Sequence, residues 1–253
     1  MDFYRLILYI IFGILPSLTW LAYYLSKDLH PESKKMILKI FLWGTFITLP
    51  VFFAQIGLSS LLNKMNFSPI VVSLIYWFLV IAFTEEIFKY LVIKIKVITH
   101  YEFDEPLDAM LYMVVVALGF AAVENILYLL PATDALSFND ILNRAMIVSF
   151  IRFIGATFLH TLSSAVAGYF LAMSFYKEKG KRFYVFFGLF IAVVLHGAYN
   201  FSIMTLEGPI KIIIPIVILI TLACFVFAGF EKLKKLKGIC LAPPDLAKRD
   251  KIN

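Results

Sequence analysis

Seven long apolar stretches constrain what this chain can fold into. They lie at about residues 3–25, 37–62, 69–94, 107–130, 145–176, 183–205 and 210–230. A helix needs roughly 20 apolar residues to cross the hydrocarbon core of a bilayer, and most of these stretches exceed that length. Because backbone groups inside lipid must bond to one another, open sheets are excluded there. The sequence therefore predicts an all-α fold, a polytopic transmembrane helix bundle of about seven spans.

Composition agrees with this class, since 62% of the residues are hydrophobic, 16% are charged and the mean hydropathy is +0.89. Connections between the stretches are short, so residues 1–230 are expected to form one bundle and 231–253 a basic cytoplasmic tail. The stretch 145–176 is longer than one crossing requires. Arg144 and Arg152 near its start indicate that it begins as an interfacial helix.

The distribution of basic residues predicts which ends of the spans face the cytoplasm. Loops one, three and five and the tail hold 17 of the 23 Lys and Arg residues, whereas the opposite side holds 4. Cytoplasmic loops carry such an excess, so we expect the N-terminus outside and the C-terminus in the cytoplasm. The net charge of +6 then reflects topology and attraction to anionic lipid in the bilayer, and no nucleic-acid binding is expected.

Glu85 and Glu86 lie inside the third apolar stretch and are followed by Lys89. An ionisable residue in the middle of a membrane helix costs roughly 3 kcal/mol even on the lenient insertion scale, so such residues usually have a function. Lys89 is at i+4 from Glu85 and i+3 from Glu86, and it can reach either carboxylate. Because one Lys balances only one of them, the other is expected to be protonated, to bind a metal or to act as a general base.

Three further stretches carry polar residues at comparable depth. They are Glu124 with Asn125, His160 with Ser164 one turn later, and His196 with Asn200 one turn later. At about 1.5 Å per residue, the carboxylates and imidazoles of the four helices lie about 16–27 Å from the predicted cytoplasmic ends. Four helices can therefore direct polar groups towards one layer inside the bilayer, which predicts a shared site.

Structural explanations compete with this interpretation. The two glutamates and Lys89 could form an ion pair that holds helices together, and Glu124 with Asn125 could form interhelical hydrogen bonds. A single His inside a bundle is often only hydrogen-bonded. The segment 104–108 is better explained as a helix start than as part of a site, with Glu105 near the N-cap, Pro106 at N1 and Asp108 at N3.

Five segments together resemble the PrsW family of intramembrane proteases, which is similar to the CAAX-processing and bacteriocin-processing membrane endopeptidases. The segments are EEIFK (85–89), EFDEPLDAMLY (102–112), GFAAVENILY (119–128), the segment around His160, and HGAYN (196–200). The resemblance covers about residues 80–201 and rests on order, spacing and placement in the helices. The larger group typically has His where this chain has Glu124, so the chain is closer to PrsW.

The resemblance implies an endopeptidase in a prokaryotic plasma membrane. It would hydrolyse a peptide bond in or near the membrane segment of a membrane-anchored regulatory protein, such as an anti-sigma factor. The implied catalytic residues are Glu85, Glu86, Glu124, His160, His196 and Asn200, with Lys89, Asn125 and Ser164 in supporting positions.

Two mechanisms fit these residues, and the sequence leaves both open. In the first, Zn²⁺ is bound by His160, His196 and a carboxylate. That carboxylate is Glu124 or Glu86, and Glu85 is the general base. No HExxH motif is present, so the ligands would come from separate helices.

In the second mechanism there is no metal. Glu85, helped by a His, deprotonates water, while His196 with Asn200 stabilises the oxyanion. Two other classes of protein remain as alternatives. A proton-coupled transporter would explain buried ionisable residues, although the chain has no internal repeat. A bis-His haem protein would use His160 and His196 but would leave Glu85 without a role.

Overall fold

The computed structural model describes residues 3–28, 30–130, 137–177 and 179–236. Most of the predicted basic tail lies outside these residues. The described chain forms α1 (Phe3–Leu25), α2 (Lys34–Leu62), α3 (Pro69–Ile75), a π-helical stretch (Tyr76–Phe83), α4 (Thr84–Lys96), α5 (Pro106–Leu129), α6 (Phe138–Ile154), α7 (Ala156–Phe175), α8 (Lys181–Thr205) and α9 (Ile210–Leu233). Seven segments are long and apolar enough to cross a membrane, with α3–α4 and α6–α7 each counting as one. The predicted all-α, seven-span fold is confirmed.

α5 is the central helix and packs against α1, α2 and α7. Small residues allow these close approaches. A side chain on Gly119 would collide with the carbonyl of Phe41 in α2, and one on Gly44 would collide with the carbonyl of Val116. The helices therefore approach at backbone distance, which places α2 directly beside the middle of α5.

The third span changes its winding just before the two glutamates. Pro69 starts α3, and the apolar residues Tyr76–Phe83 adopt a π-helix that returns to α-helix at Thr84. The Thr84 hydroxyl donates to the Val80 carbonyl at 2.6 Å. π-Helical turns are rare in proteins, and those that occur often lie at functional sites. The wider turn changes the direction in which the following side chains point.

The fifth span is broken at Gly155, between α6 and α7. Gly155 has φ −104° and ψ −96°, and a Cβ there would lie 2.7 Å from the Tyr199 hydroxyl. α6 begins earlier than the sequence predicted, at Phe138, after Ser137 accepts a hydrogen bond from the Asp140 amide. The break separates the long apolar stretch into two helices with different directions.

The connections meet at two ends of the bundle. At one end, Ser33 donates to Glu102 at 2.7 Å, which joins the loop before α2 to the loop before α5. The predicted start of α5 is confirmed there, since Asp108 accepts from the Glu105 amide at 2.7 Å. We call this the basic end, because the predicted cytoplasmic loops lie here. At the opposite end, Ser73 and Thr205 share a hydrogen bond of 2.8 Å.

Candidate active site

A cavity of about 470 Å³ lies in the half of the bundle towards the opposite end. Its wall is formed by α2, the third span, α5, α6, α7 and α8. The lining residues include Phe52, Gln55, Tyr76, Trp77, Glu85, Glu124, Leu127, Tyr128, Arg152, His160, His196, Tyr199, Asn200 and Met204. Apolar and aromatic side chains with a few convergent polar groups are typical of a binding site. The cavity therefore brings together helices that are far apart in the sequence.

Glu86 is completely buried and holds four donors. Its Oε1 accepts from Lys89 Nζ at 2.8 Å, from His196 Nδ1 at 2.9 Å and from Ser163 at 3.3 Å. Its Oε2 accepts from Ser164 at 2.9 Å. Both oxygens accept hydrogen bonds inside the protein, so Glu86 connects α4, α7 and α8 and has neither oxygen without a partner.

Glu85, only 3% exposed, has one oxygen without a hydrogen-bond partner. Its Oε1 accepts from Gln55 Nε2 at 3.2 Å. Its Oε2 makes no hydrogen bond and lies 3.6 Å from Lys89 Nζ and 3.8 Å from both His160 Nδ1 and His196 Nε2. A buried carboxylate oxygen without a partner is costly, so it usually has a function.

Glu124 links α5 to the two helices of the broken span. Its Oε2 accepts from His160 Nε2 at 2.8 Å and from Arg152 Nη2 at 2.6 Å. The Arg152 Nε donates to Asn125, and its guanidinium lies 4.0 Å from the ring centre of Tyr128. Arg152 therefore contacts three residues of α5. Its hydrogen bond to Glu124 holds that carboxylate at the cavity wall.

The two asparagines have different environments. Asn125 is buried and donates to the carbonyl of Gly13 at 3.1 Å and to the hydroxyl of Thr157 at 3.0 Å, so it joins α1, α5 and α7. Asn200 lines the cavity, and its amide has no hydrogen-bond partner among the described residues. Asn125 thus supports the packing, whereas Asn200 is available to a molecule in the cavity.

The hydrogen bonds fix which nitrogen of each imidazole carries the proton. His196 Nδ1 donates to Glu86 and His160 Nε2 donates to Glu124, because a carboxylate only accepts. The lone pairs then lie on His196 Nε2 and His160 Nδ1, each 3.8 Å from Oε2 of Glu85, while Lys89 Nζ lies 3.6 Å from the same oxygen. His160 Nδ1 also accepts from Lys89 Nζ at 3.0 Å.

This donor set fits a zinc ion. Ligand atoms of Glu85, His160 and His196 all lie within 4.8 Å of one another. Two histidines and one carboxylate are ligands of open catalytic zinc sites. The other nitrogen of a zinc-binding His commonly donates to a carboxylate, and Glu86 and Glu124 supply those carboxylates here.

The charges in this network are also unbalanced. Glu85, Glu86 and Glu124 carry three carboxylates, while Lys89 and Arg152 supply two basic groups bonded to them. With neutral imidazoles, one negative charge remains without a partner in a buried site. Such a charge is costly in a low dielectric unless a cation or a proton joins it.

The predicted site residues lie together, although their contacts differ from those expected. The sequence predicts Glu124 or Glu86 as the third metal ligand and Glu85 as the base, whereas the oxygen that groups with the two histidines belongs to Glu85. Sequence reasoning missed Gln55 and Arg152. The sequence uses Arg152 only as a sign of an interfacial start to the fifth span, whereas the side chain is buried. A charged residue inside a predicted span was the signal.

Comparison with known proteins gives a consistent result. Residues 32–229 match the sequence profile described as PrsW family intramembrane metalloprotease. Similar curated proteins are each named Protease PrsW. The one from Bacillus subtilis is 28% identical over 229 residues, covering 90% of this chain and 94% of the relative. That from Oceanobacillus iheyensis is 30% identical (82% and 88% covered) and that from Clostridioides difficile 32% identical (83% and 84% covered). No solved structure matches the chain significantly.

Proposed function

The chain belongs to the PrsW family of intramembrane metalloproteases, and from this premise we propose that it hydrolyses a peptide bond of a membrane-anchored protein in the cavity beside Glu85. The observation that carries the proposal is the buried Oε2 of Glu85, which makes no hydrogen bond and lies 3.8 Å from one nitrogen of each histidine. A bis-His haem protein would leave Glu85 without a role, and the family to which the chain belongs does not favour a transporter.

Glu85, His160 and His196 would hold a zinc ion through these three atoms. When bound, zinc supplies a water molecule activated at neutral pH and polarises the carbonyl group of the substrate. Gln55 keeps Glu85 oriented, since its amide donates to Oε1 and leaves Oε2 directed towards the histidines. The metal positions that the sequence favoured, Glu124 and Glu86, become the partners of the histidines in this proposal.

Glu86 and Glu124 each fix one imidazole by accepting from its outer nitrogen. Glu86 has no free oxygen, so its role is orientation. Glu124 is partly exposed at the cavity wall, and one of its oxygens makes no hydrogen bond with a described residue. We assign to Glu124 the transfer of the proton from the attacking water to the leaving amine. Asn200, with its free amide, would contact the substrate backbone.

The substrate is a polypeptide segment in extended form. A folded domain cannot enter a cavity of 470 Å³ inside the bundle, and a peptide bond within a helix is shielded by its own backbone. If the basic end faces the cytoplasm, the cavity lies in the outer half of the membrane. The protein then cuts a membrane-anchored protein in or beside the outer part of its membrane segment, as in an anti-sigma factor with one span.

The test uses purified protein in liposomes with a membrane-tethered reporter and with the same peptide made soluble inside a folded domain. Wild type should cleave the tethered reporter, and Glu85→Gln should lose cleavage while remaining folded. Glu207→Gln, the same change in the exposed loop before α9, is the matched control and should remain active. If the folded soluble protein were cleaved as fast as the tethered reporter, the proposed membrane-anchored substrate class would be contradicted. A fully active, metal-free preparation would contradict the zinc site and would return Glu85 to the role of general base.

A further inference from the structure

A second feature lies on the lipid-facing side of α2, close to the basic end. A groove of about 870 Å³ runs along α2 beside α5 and is separate from the catalytic cavity. Lys35 and Lys39 lie at one end of the groove, and Leu42 and Phe46 follow one and two turns later. The lining therefore changes from basic to apolar along a single helix face.

The lysine-lined part of this groove carries positive charge that no carboxylate of the described residues balances. Lys96, from the end of α4, lies with its Nζ 4.3 Å from the ring centre of Trp43 in the groove. No carboxylate among the described residues forms an ion pair with Lys35, Lys39 or Lys96. By contrast, Lys89 is paired with Glu86 and Lys234 with Glu231. Three unpaired ammonium groups around one groove attract an anion.

The apolar part of the groove is open. Leu38, Leu42 and Phe46 follow one another at i+4 spacing, and more than half of each side chain is exposed. Residues at this spacing form one stripe along a helix. The stripe extends about 12 Å from the lysines towards the membrane centre. An occupant must therefore combine an anionic head at the membrane surface with an apolar chain that enters the hydrocarbon core.

We propose that this groove binds an anionic phospholipid, with the phosphate group on Lys35 and Lys39, Lys96 completing the binding site, and an acyl chain along Leu42 and Phe46. Basic pockets at the cytoplasmic ends of transmembrane helices bind such head groups. A second copy of the chain fits less well, because a two-fold contact at this groove would oppose two sets of unpaired lysines.

Occupation of the groove would also support the catalytic site from outside. The groove face of α2 is opposite the contacts that α2 makes within the bundle. Gly44 packs against α5, and Gln55 donates to Glu85. A lipid that holds α2 in place therefore stabilises Gln55 in the position from which it donates to Glu85. The lipid site itself does not depend on the protein being a protease.

The experiment measures lipid binding and thermal stability of the purified full-length protein in detergent. Phosphatidylglycerol is added, and phosphatidylcholine with the same acyl chains serves as the neutral comparison. We expect phosphatidylglycerol to remain bound in native mass spectrometry and to raise the melting temperature, and phosphatidylcholine to do neither. The double variant Lys35→Gln, Lys39→Gln should bind phosphatidylglycerol about 10-fold more weakly or worse, because each Lys contributes separately.

Two controls distinguish a built site from general attraction. Lys181→Gln with Arg182→Gln removes the same charge at the exposed start of α8 and should leave binding unchanged. Leu42→Trp fills the groove without changing charge and should weaken binding, so the proposal can be tested even if the lysine variant fails to fold. Equal binding of both lipids, an unchanged double variant, or an equal loss in the α8 control would overturn the proposal.

Discussion

The two halves of α5 differ although both are apolar in sequence. From Leu107 to Leu118, every side chain is at most 2% exposed and packs against α2, α7 and α1. In the second half, Leu127 is 46% and Tyr128 is 52% exposed, and both line the cavity with Glu124. One helix is thus the packed core of the membrane domain at one end and the wall of the proposed catalytic cavity at the other.

The difference lies in the neighbours of the helix. Around the first half, the helices approach closely, as Gly168 does against Met110, and leave no room for a cavity between them. Beyond Gly119, the surrounding helices carry the polar residues that hold one another across the cavity. Packing therefore stabilises the first half, whereas hydrogen bonds and ion pairs define the second half. The two halves should respond differently to substitution.

The largest effect is expected for a residue of the cavity wall that faces the second half of α5, with the substitution His196→Gln. Loss of this proposed ligand should remove stoichiometric zinc from the purified protein and reduce cleavage roughly 10³-fold, because a catalytic metal contributes several kcal/mol to the transition state. Metal content is measured by elemental analysis, and cleavage with the tethered reporter. His30→Gln, at an exposed position near the basic end, is the control. Zinc retained at full stoichiometry would show that His196 is not a ligand.

In the packed region, Gly119→Leu should lower the free energy of unfolding by about 3 kcal/mol, because its side chain meets the backbone of α2. Gly57 lies in α2 itself, with no atom within 4 Å of a Cβ built there, and Gly57→Leu should leave stability nearly unchanged. Thermal unfolding in one detergent compares the two variants. Similar melting temperatures would show that the close approach of α2 to α5 contributes little.

A smaller effect is expected for Arg152→Lys, at the boundary between α6 and the cavity. The guanidinium donates to Glu124 and Asn125 at once, and the single ammonium of Lys cannot reproduce this fork. We expect kcat to fall about 10-fold with KM and melting temperature close to wild type. Arg144→Lys in the same helix is the matched change. A loss confined to stability would assign Arg152 to packing alone.

The smallest effect is expected for single cysteine substitutions in loops, which test which end of α5 lies at the outer surface of the membrane. In a background with Cys224 and Cys240 replaced by Ser, single cysteines are placed at Asn66 and Lys179, both in loops. An impermeant thiol reagent added to intact cells should label position 66 and leave position 179 unlabelled, because the basic loops should face the cytoplasm. The reverse pattern would place the cavity in the cytoplasmic half of the membrane.

Much of the architecture could be predicted from the sequence. Runs of apolar residues fix the seven spans, because backbone groups in lipid leave a helix as the available structure. Pro106 and Asp108 predict the start of α5, and this local signal is confirmed. The sequence also indicated that Glu85, Glu86, Glu124, His160 and His196 lie near one another, because charged side chains in separate spans avoid lipid by facing a common interior.

The contacts among those residues depended on the tertiary structure. Glu85 and Glu86 are adjacent and chemically identical, yet Glu86 has both oxygens satisfied while Glu85 keeps one free. Nothing local distinguishes them. The π-helical turn, the break at Gly155 and the approach of α2 decide which donors reach which oxygen. Composition determined that this chain spans the membrane. Only the packing of its helices decided which carboxylate oxygen lies near both histidines without a hydrogen bond, because that depends on how each helix is rotated against its neighbours.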